Sequence, residues 1–523
     1  MVVGGGVGGL CTAAVLARYG VAVEVHESHA VPGGAAHSFE RGGFSFDSGP
    51  SFYAGMSYPR GRSLNPLKQV LDLIDEPLPC KQYDGWTIYL PEGTFRCSVR
   101  GESYVEQLRR FGGEEAVQQF RALERAIKPL ADASSALSFA AFRADLAAPL
   151  TLARGLGGMV EAGVFAQGPF RAVERLNGPF STLLDEAGVT NPFLKRLLDL
   201  ECFVLSGMDA ASTLAPEMAF MFSERGRPDA VLDYPVGGSG AIVDALFRGI
   251  EKNGGVVHCN SHVEEILVEG GRAVGVRVRG RGEVRAGHVV SNASVWDTAK
   301  LVQDPAARAG LAATARKAPK LDSFMHLHLG FDGDGLDADA IGIHHLCVND
   351  WGSGIAGEQN VVNISIPTVL DPSQAPEGKH TAHVYYAANE PYELWEGMDR
   401  KSPEYKTLKE ERAQRLWEGL EKAIPDIRER VEVELVGSPL THQRYLRREG
   451  GTYGPGVVAG QQQWPTARTG VRNLLACGDS CFPGIGMPAV ASSGFIAANT
   501  IVGVDRHLAM LDEMEAMAAT VGA

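Results

Sequence analysis

The pattern of apolar and polar residues is most regular at the start of the chain. An apolar pair at 2–3 is followed by a cluster of glycines, and a run of small apolar residues at 10–19 then predicts a helix. A second apolar stretch at 21–25 predicts a strand, and the acidic residue Glu27 ends it. These pieces predict a strand, a helix and a strand in direct succession, the unit from which parallel sheets are built.

Further apolar stretches predict the other strands. Each is short and is bounded by glycine, proline or polar residues, as strands are. Helices are predicted at 104–111, 241–252, 402–424 and 489–502, and the third has a charged, solvated face. The predicted strands lie at 44–47, in a hairpin at 86–97, and at 256–259, 263–268, 273–278, 283–290, 321–329, 361–366, 382–386 and 474–477.

The stretch 131–170 mixes large apolar residues with charges. Its apolar members include Leu137, Leu150, Val160 and Phe165. Two interpretations stay open and do not exclude each other: core helices of a second domain, or a surface that enters a bilayer or opens to a lipid substrate. No run of roughly twenty uncharged apolar residues occurs, so a membrane-spanning helix is not expected.

Composition narrows the function classes. The chain has 523 residues, enough for two or three cores, and its net charge of −14 argues against a nucleic-acid partner. Eight cysteines without a C-x-x-C pair indicate reduced thiols rather than a disulfide framework. Few residues precede the first glycine, so we expect a truncated or processed start from which no targeting signal can be read.

The glycines of the first unit form a nucleotide-binding motif. Gly4, Gly6 and Gly9 give G-x-G-x-x-G between the predicted strand and helix. The first glycine permits a tight turn, the second lets the backbone approach a pyrophosphate, and the third lets the helix pack against the sheet. Glu27 is placed to accept a hydrogen bond from a ribose. Because the motif, its flanking elements and the acid occur together, we predict a dinucleotide site.

A second stretch with ligand-binding character lies near the end of the chain. The predicted strand at 474–477 reaches Gly478 and Asp479, and a loop at 483–486 rich in proline and glycine then leads to the last predicted helix. An acid at the end of a strand can bind a polyol chain. The start of the helix can stabilise negative charge on a ring above it.

These motifs, with the sequence Pro32-Gly33-Gly34, resemble those of the FAD-dependent amine oxidase and phytoene desaturase superfamily. Longer motifs narrow the resemblance to the prolycopene isomerase branch of plants and cyanobacteria, in the same order over nearly the whole chain. Desaturases and oxidases carry an arginine after the glycine pair. This chain lacks it, and carotenoid isomerases lack it too. The longer motifs are CFVLSG from Cys202, YPVGG from Tyr234, SNASVWDT from Ser291, SIPTVLDPSQAPEGKH from Ser365, THQRYLRREGGTYGP from Thr441 and GDSCFPGIG from Gly478.

The resemblance implies an α/β fold: a Rossmann-like FAD-binding domain of the GR2 type with an inserted α+β substrate domain. We expect both domains to be discontinuous, because the chain leaves the first domain and returns to it. The expected segments are 1–90, 225–300 and 460–505 for the FAD-binding domain, 91–224 and 301–459 for the substrate and membrane-facing domain, and 506–523 for a C-terminal tail helix.

The resemblance also implies roles for individual residues. The first glycine cluster and Glu27 would hold the ADP half of FAD, Val263 would meet the adenine, and the later glycine pair would pass close to the pyrophosphate and flavin. Asp479 would bond the ribityl chain, and 485–487 would cover the edge of the flavin ring. The predicted cofactor-binding residues are Gly4, Gly6, Val7, Gly8, Gly9, Glu27, Gly33, Gly34, Val263, Gly478, Asp479, Ile485, Gly486 and Met487.

The branch that these motifs resemble uses FAD in its reduced form without net oxidation. We therefore expect conversion of a poly-cis carotene such as prolycopene to an all-trans product. Ile485, Met487 and Pro488 differ from the residues usual in that branch, so a desaturase, or a paralogue such as a hydratase that acts on a xanthophyll polyene, stays open. A non-enzymatic prenyl-binding carrier is a further hypothesis, but it would need a decayed flavin site, and Glu27 and Asp479 are intact.

No catalytic side chain is evident from the sequence. Arg448 and Glu449 lie in a family-like motif and are candidates for acid–base work, with a structural ion pair at a domain seam as the alternative. His326 and His328 face the same side of a predicted strand, yet no carboxylate spacing completes a metal site, so we predict no metal. We expect these histidines to line a substrate pocket or to lie on plain surface.

The expected partners follow from a substrate that is insoluble in water. We predict a carotenoid substrate and a reversible, peripheral membrane contact through 137–165, with no nucleic acid, and the oligomeric state is left open. In a eukaryote the protein would be associated with plastid membranes, the thylakoid or the envelope. In a cyanobacterium it would lie in the cytoplasm or at the thylakoid membrane.

Overall fold

The computed structural model describes residues 1–99, 103–166, 174–227 and 229–520. One of its sheets has five strands, and all neighbouring pairs in it are parallel. These strands come from widely separated parts of the chain, so the sheet forms only when the chain returns to it. In spatial order they are Val256–His258, Glu24–His26, Val2–Val3, Val289–Ser291 and Leu474–Ala476.

Helices cover the parallel sheet, and small residues let them approach closely. The first helix, Val7–Arg18, is buried along almost its whole length and packs against Gly238–Lys252 and Met487–Ile501. A Cβ atom on Gly494 would lie 2.8 Å from the Cβ atom of Cys11. The small apolar run that predicts the first helix therefore belongs to the core on nearly every face.

A mixed sheet of seven strands forms the second core. Its longest strands, Ser323–Asp332 and Lys379–Glu390, pair antiparallel over most of their length. Residues 85–90, which belong to the first predicted segment of the FAD-binding domain, lie in this sheet. The spatial order is Val431–Gly437, Ser323–Asp332, Lys379–Glu390, Val361–Ser365, His344–Val348, Gly85–Leu90 and Gly93–Ser98.

The two faces of the seven-stranded sheet differ in chemistry. Leu327 and Leu329 point to one face, where they form a core with helix Pro403–Glu421. His326 and His328 alternate with them along the same strand and therefore lie on the opposite face. The sheet buries hydrocarbon side chains on one side and imidazole rings on the other.

A third core lies between one end of this sheet and a group of helices. Phe95 from the edge strand Gly93–Ser98 is fully buried in it. The longest helix has a kink at Gly113, where φ is +74°. That conformation suits a residue without a Cβ atom. The helices are Ser103–Ala136, Phe180–Glu186, Pro192–Ser206 and Ala215–Arg225.

Short elements complete the fold. The predicted C-terminal tail lies in the last helix, and residues 521–523 fall outside the described part of the chain. Small antiparallel sheets are Ser38–Arg41 with Phe44–Asp47; Tyr53–Ala54, Leu232–Pro235 and Cys80–Tyr83; and Val263–Glu269, Arg272–Val278 and Gly282–Arg285. Further helices are Pro66–Leu73, Ala148–Glu161, Val295–Leu301, Pro305–Arg316, Ala338–Ile341, Ile427–Arg430, Pro439–Leu446 and Val504–Thr520.

One predicted strand is wrong. The apolar alternation at 283–290 predicts a single strand, but Gly282–Arg285 ends an antiparallel sheet and Val289–Ser291 joins the parallel one. The connecting residues 286–288 include a glycine and lie between the two sheets. The chain changes sheets there, which an alternation of apolar residues cannot signal.

The stretch 131–170 contains both buried and exposed apolar residues. Met159 is 8% exposed and belongs to a small core, whereas Leu146 is 99% exposed and Leu150 is 62% exposed. Residues 167–170 lie outside the part of the chain that the structure describes. Of the described helices, none combines the length and the apolar character that crossing a membrane requires.

Candidate functional site

The glycine-rich turn lies at the carboxyl end of the central strand of the parallel sheet, where ligands of such sheets bind. The backbone N–H of Gly5 donates to Glu27 Oε2 over 2.7 Å. The other carboxylate oxygen, Oε1, accepts from the backbone N–H of His29 at 2.7 Å. The glycine turn and the acid that the sequence pairs with it are therefore in direct contact.

A second glycine pair closes the turn from another side. The N–H of Gly33 donates to the carbonyl oxygen of Gly5 at 2.7 Å, and Gly33 also forms an isolated parallel bridge with Gly6. Gly33 has a φ of +116°, which side chains rarely adopt. A Cβ atom on Gly34 would lie 3.1 Å from the Cα atom of Gly6. Two stretches of bare backbone thus meet at one point.

Asn292 fills the space beside this turn, a role that the sequence motifs do not assign. A Cβ atom on Gly6 would lie 2.6 Å from Asn292 Nδ2, and one on Gly8 would lie 2.7 Å from Asn292 Oδ1. The backbone N–H of Asn292 donates to the carbonyl oxygen of Val3 at 2.8 Å. One feature of the sequence points to Asn292: it directly follows a strand of the parallel sheet. The carboxyl ends of parallel strands lie at the same edge of the sheet, where ligands bind, so a residue in this position is expected near the site.

The first helix begins at the glycine turn without a side-chain cap. Gly6 is its N-cap residue, and no side chain among the described residues caps it. Free N–H groups at a helix start attract phosphate, because they are donors at the positive end of the helix dipole. A Cβ atom on Gly9 would lie 2.2 Å from the carbonyl oxygen of Gly4, so only glycine fits there. This bare, donor-rich cradle fits the pyrophosphate of FAD.

The C-terminal stretch reaches the same edge of the sheet. A Cβ atom on Gly8 would lie 2.8 Å from the Cα atom of Gly478, and the N–H of Gly478 donates to Ser493 Oγ at 2.7 Å. Arg448 Nη1 donates to Asp479 Oδ2 at 2.6 Å. The Nε and Nη2 atoms of Arg448 are buried and have no partner among the described residues. Such a guanidinium beside a carboxylate has donors to offer to hydroxyl or phosphate oxygens.

The other predicted cofactor residues differ in how their side chains are placed: some border open space and others are packed in a core. A Cβ atom on Gly486 would meet nothing within 4 Å, so open space lies at the start of helix Met487–Ile501. The Ile485 side chain packs against Gly454, where a Cβ atom would lie 2.6 Å from Ile485 Cδ1. Val263 is 5% exposed, with its side chain in a core. A contact between Val263 and a nucleotide would therefore come from its backbone.

Glu449 bonds to two lysines. Lys300 and Lys320 both donate to its carboxylate, the second over 3.0 Å. The hydrogen bond from Lys300, with a smaller contribution from Lys320, holds the pKa of Glu449 below its usual value. The carboxylate therefore stays ionised near neutral pH, and this geometry favours a structural ion pair over a proton donor.

Four buried histidines, His326, His328, His383 and His442, form a surface that we call the histidine face. His326 Nδ1 lies 3.0 Å from His383 Nε2, and His326 Nε2 lies 3.4 Å from His442 Nδ1. Burial lowers the pKa of all four, to about 4 for His328 and to about 3 for His442. The sequence singles out the first two residues only, because the others come from a later strand and a later helix. None of the four is plain surface.

The histidine face has some features of a metal site and lacks others. Nitrogen atoms of His326, His328 and His383 lie within 4.8 Å of one another. The rings of His328 and His383, however, are stacked 4.3 Å apart with 5° between their planes. The lone pairs of stacked rings run side by side, whereas a bound ion needs ligand atoms directed at it. The absence of a metal stays a prediction.

Comparison with known proteins supplies the family. The model of the family "Flavin containing amine oxidoreductase" matches residues 7–502. The chloroplastic prolycopene isomerase of Daucus carota is 32% identical over 98% of this chain and 82% of its own length. The neurosporene-forming phytoene desaturase of Cereibacter sphaeroides is 28% identical over 55% of this chain and 57% of its own length.

Solved structures agree with the predicted α/β fold. An oxidoreductase from Methanosarcina mazei has a TM-score of 0.61 with this chain, over 94% of this chain and 98% of its own, at 19% identity. The cofactor that the glycine cradle fits is the one that this family uses. The chain therefore belongs to the flavin containing amine oxidoreductases, within them to the prolycopene isomerase branch, and it is an FAD-dependent enzyme.

Proposed function

We propose that the protein is a carotenoid isomerase, which converts a poly-cis carotene of the prolycopene type to an all-trans product with reduced FAD and without net redox change. The observation that carries this proposal is the likeness to prolycopene isomerase over 98% of the chain. The direct contact between Gly5 and Glu27 supports the dependence on FAD that this reaction needs, because it joins the glycine turn to the acid of the nucleotide motif.

Isomerisation requires a temporary loss of double-bond order in the polyene. Reduced FAD, when bound, supplies electron density or a proton for that purpose. The chain would bind and orient the cofactor: the N–H groups at the start of the first helix would hold the pyrophosphate, and Asp479 and Arg448 would hold the polyol part. Burial keeps His326 and His383 neutral, so the histidine face adds hydrogen-bonding groups without adding charge.

An anaerobic assay tests the proposal. Protein with reduced FAD is supplied with prolycopene, and the products are followed by chromatography and mass. We expect an all-trans product of unchanged mass and no consumption of electrons. The variant Gly6→Val serves as the cofactor-free control, since the added side chain fills the pyrophosphate cradle. Prolycopene that stays unchanged under these conditions would contradict the isomerase proposal and leave the FAD-dependent fold intact.

A second candidate function is oxidation or hydration of a polyene. It is favoured by the phytoene desaturase among the relatives and by Ile485 and Met487, which differ from the residues usual in the isomerase branch. A parallel assay with oxidised FAD and a desaturase substrate, run beside the first, separates the cases. Desaturation removes two hydrogens for each bond formed and needs oxidised flavin, whereas hydration increases the mass by one water.

The proposed function includes a peripheral contact with a membrane, because the substrate is expected to reside there. Helix Ala148–Glu161 and the residues before it present Leu146, Leu150, Leu156 and Val160 to solvent. These side chains are between 47% and 99% exposed, and a helix that exposes apolar residues in this way can lie at a membrane surface. Flotation with neutral liposomes tests the contact, and the double variant Leu146→Gln/Leu150→Gln should float less. Equal flotation of both proteins, or of neither, would contradict it.

The location and the domain division belong to the same proposal. The isomerase named for Daucus carota is chloroplastic, so we propose a plastid location if the source is a photosynthetic eukaryote. We also propose a discontinuous FAD-binding domain, since the parallel sheet takes strands from before residue 30, from 256–291 and from 474–476. Its first segment ends before residue 85, where the chain enters the seven-stranded sheet.

A further inference from the structure

An open cavity of about 570 Å³ lies between helices Val295–Leu301 and Pro305–Arg316 and the residues that follow them. Small apolar residues and Trp296 line part of it, and Trp296 Nε1 donates to the carbonyl oxygens of Ala315 and Ala318 at 3.2 Å. The rest of the lining is cationic, so we call this space the cationic cavity. Its charged side chains, all of them exposed, are Lys300, Arg308, Arg316 and Lys320.

The cationic cavity carries more positive than negative charge. Arg308 and Arg316 form no side-chain hydrogen bond or ion pair with any residue that the structure describes. The two lysines share one carboxylate, that of Glu449, and the first of them also bonds to Asp297. The chain as a whole has a net charge of −14, so this excess is a local reversal of sign. Such a reversal attracts an acidic partner and orients it.

The cationic cavity and the exposed apolar helix Ala148–Glu161 lie on opposite faces of the parallel sheet. The strand residue Val3 packs in one core with Leu311, which belongs to a cavity helix. Its neighbour Val2 points to the other face and packs in the core that contains Met510. The apolar helix contacts the helix of Met510. A membrane at the apolar helix would leave the cavity on the aqueous side, which favours a water-soluble partner over a lipid.

The cationic cavity adjoins the residues predicted to hold the flavin. Glu449 lies at its edge, because two lysines of the cavity donate to its carboxylate. The preceding residue, Arg448, donates to Asp479 at 2.6 Å. One step along the chain therefore connects the edge of the cavity with the acid expected to bond the ribityl chain. An electron, unlike a hydride, passes between groups that are not in contact, so a redox partner at this edge need not touch the flavin.

We propose that the cationic cavity docks an acidic protein that carries single electrons and reduces FAD. The inference rests on the proposed function, which needs reduced FAD, and it names the class of partner that supplies the electrons. Carboxylates of the partner pair with Arg308 and Arg316, whose planar guanidinium groups suit bidentate pairing. Two successive encounters deliver two electrons and oxidise two partner molecules, and two protons from water complete the reduction.

The exposure of the cations favours a protein over a small anion. A small anion is held by buried donors that surround it, whereas these four side chains are exposed around an open cavity. The acidic edge of a protein can contact all four at once. Arginine and tryptophan are also residue types that interfaces between proteins contain more often than the rest of the surface does.

Anaerobic reduction tests the docking without any carotenoid. Full-length protein with bound oxidised FAD is mixed with a reduced plant-type [2Fe–2S] ferredoxin, an acidic one-electron donor of low potential. The loss of flavin absorbance is followed by stopped flow. We expect a second-order reaction that slows by about ten-fold when the ionic strength rises from about 0.02 to about 0.2 M, because salt screens the attraction.

A charge-reversal variant assigns the salt dependence to the cavity. Arg308→Glu/Arg316→Glu should slow the reduction by about ten-fold or more at low salt and remove most of its dependence on salt. Arg41→Glu/Arg62→Glu is the matched control: both arginines are exposed, neither lines the cavity, and the net charge changes by the same amount. The extent of reduction by dithionite shows whether each variant holds the same amount of reducible FAD.

Four results would overturn the proposal. A rate that does not depend on salt, or one that falls equally in the two double variants, would mean that the cavity takes no part in docking. Phosphate that slows the reduction when it replaces chloride at equal ionic strength would assign the cavity to a small anion. Flavin that stays oxidised with the carrier protein but is reduced by dithionite would exclude this class of partner. None of these results bears on isomerisation, which is assayed with FAD that has already been reduced.

Discussion

The glycine cradle and the histidine face are built in opposite ways. In the cradle, side chains are missing: Gly6 and Gly9 are glycines because a Cβ atom would lie 2.6 Å from Asn292 and 2.2 Å from a backbone oxygen. On the histidine face, side chains fill the space, and His326 links His383 and His442 through its two ring nitrogens. The cradle presents bare backbone and the histidine face presents side chains, so the two regions should respond differently to substitution.

The largest effect is expected from Gly6→Val. The added side chain would fill the cradle where the backbone meets the pyrophosphate, so FAD binding should weaken by at least about 100-fold. The ratio of flavin to protein absorbance measures this. Gly310→Val is the matched control, since Gly310 lies on an exposed helix with nothing within 4 Å of a Cβ atom. Full flavin occupancy in Gly6→Val would mean that the cofactor lies elsewhere.

Arg448→Gln tests a point where a side chain, and not the backbone, should matter for the cofactor. The substitution removes the donor to Asp479 and two unpartnered donors beside it. A charged hydrogen bond contributes about 1.5–3 kcal/mol, so FAD affinity should fall by about 10- to 100-fold. Titration of the apoprotein with FAD measures this change. The neighbouring Arg447→Gln is the control, because Arg447 is exposed. Equal affinities of the two variants would remove Arg448 from the cofactor site.

The sequence predicts the parts of the cradle that lie close together along the chain and misses the parts that come from elsewhere. The glycine turn and Glu27 are separated by only about one βαβ unit, so the spacing of the motif is enough to place them together. Asn292 and Arg448 join the same site from distant parts of the chain; only the position of Asn292 directly after a strand hints at it, and no local pattern signals Arg448. The resemblance to a family, and not the spacing, is what connects residues 478–479 with the first turn.

The sequence predicts only part of the histidine face. Alternation along a strand places His326 and His328 on one side. His383 enters through antiparallel pairing, in which His328 lies opposite His383, and the register of two strands is not readable from either one. The split of the predicted strand at 283–290 has the same origin, because the choice between two sheets is made by tertiary contacts.

The histidine face should also make the protein sensitive to acid. A histidine whose pKa is lowered by folding binds its proton more readily in the unfolded chain. Its contribution to stability is therefore complete above about pH 6.5 and decreases as the pH falls toward the folded pKa, about 4 for His328. Each such histidine makes the free energy of unfolding fall by about 1.4 kcal/mol for each pH unit of acidification in that window.

The variant His328→Asn tests this origin of the acid sensitivity. Between pH 6.5 and 4, it should reduce the pH dependence of the unfolding free energy by about 1.4 kcal/mol per pH unit, which corresponds to one proton fewer taken up on unfolding. This holds whatever the effect of the substitution on stability at neutral pH. Urea unfolding at several pH values measures the slope. Gly310→Val removes no titratable group and its added side chain meets nothing within 4 Å, so it should keep the slope of the unaltered protein. Equal slopes in His328→Asn and the unaltered protein would mean that other groups take up the protons.

The smallest effect is expected from Glu449→Gln, which lies outside both regions. Its partners Lys300 and Lys320 are 55% and 42% exposed, and ion pairs of this kind contribute about 0–1 kcal/mol. The lowered pKa of Glu449 means that this contribution is present above about pH 4.5 and is lost below it. The variant should therefore bind FAD normally and turn over the polyene within about two-fold of the unaltered rate, with Glu410→Gln on an exposed helix as the control. A loss of activity of ten-fold or more at unchanged FAD content, seen in Glu449→Gln but not in the control, would make Glu449 an acid–base group and extend the reacting centre beyond the two regions compared here.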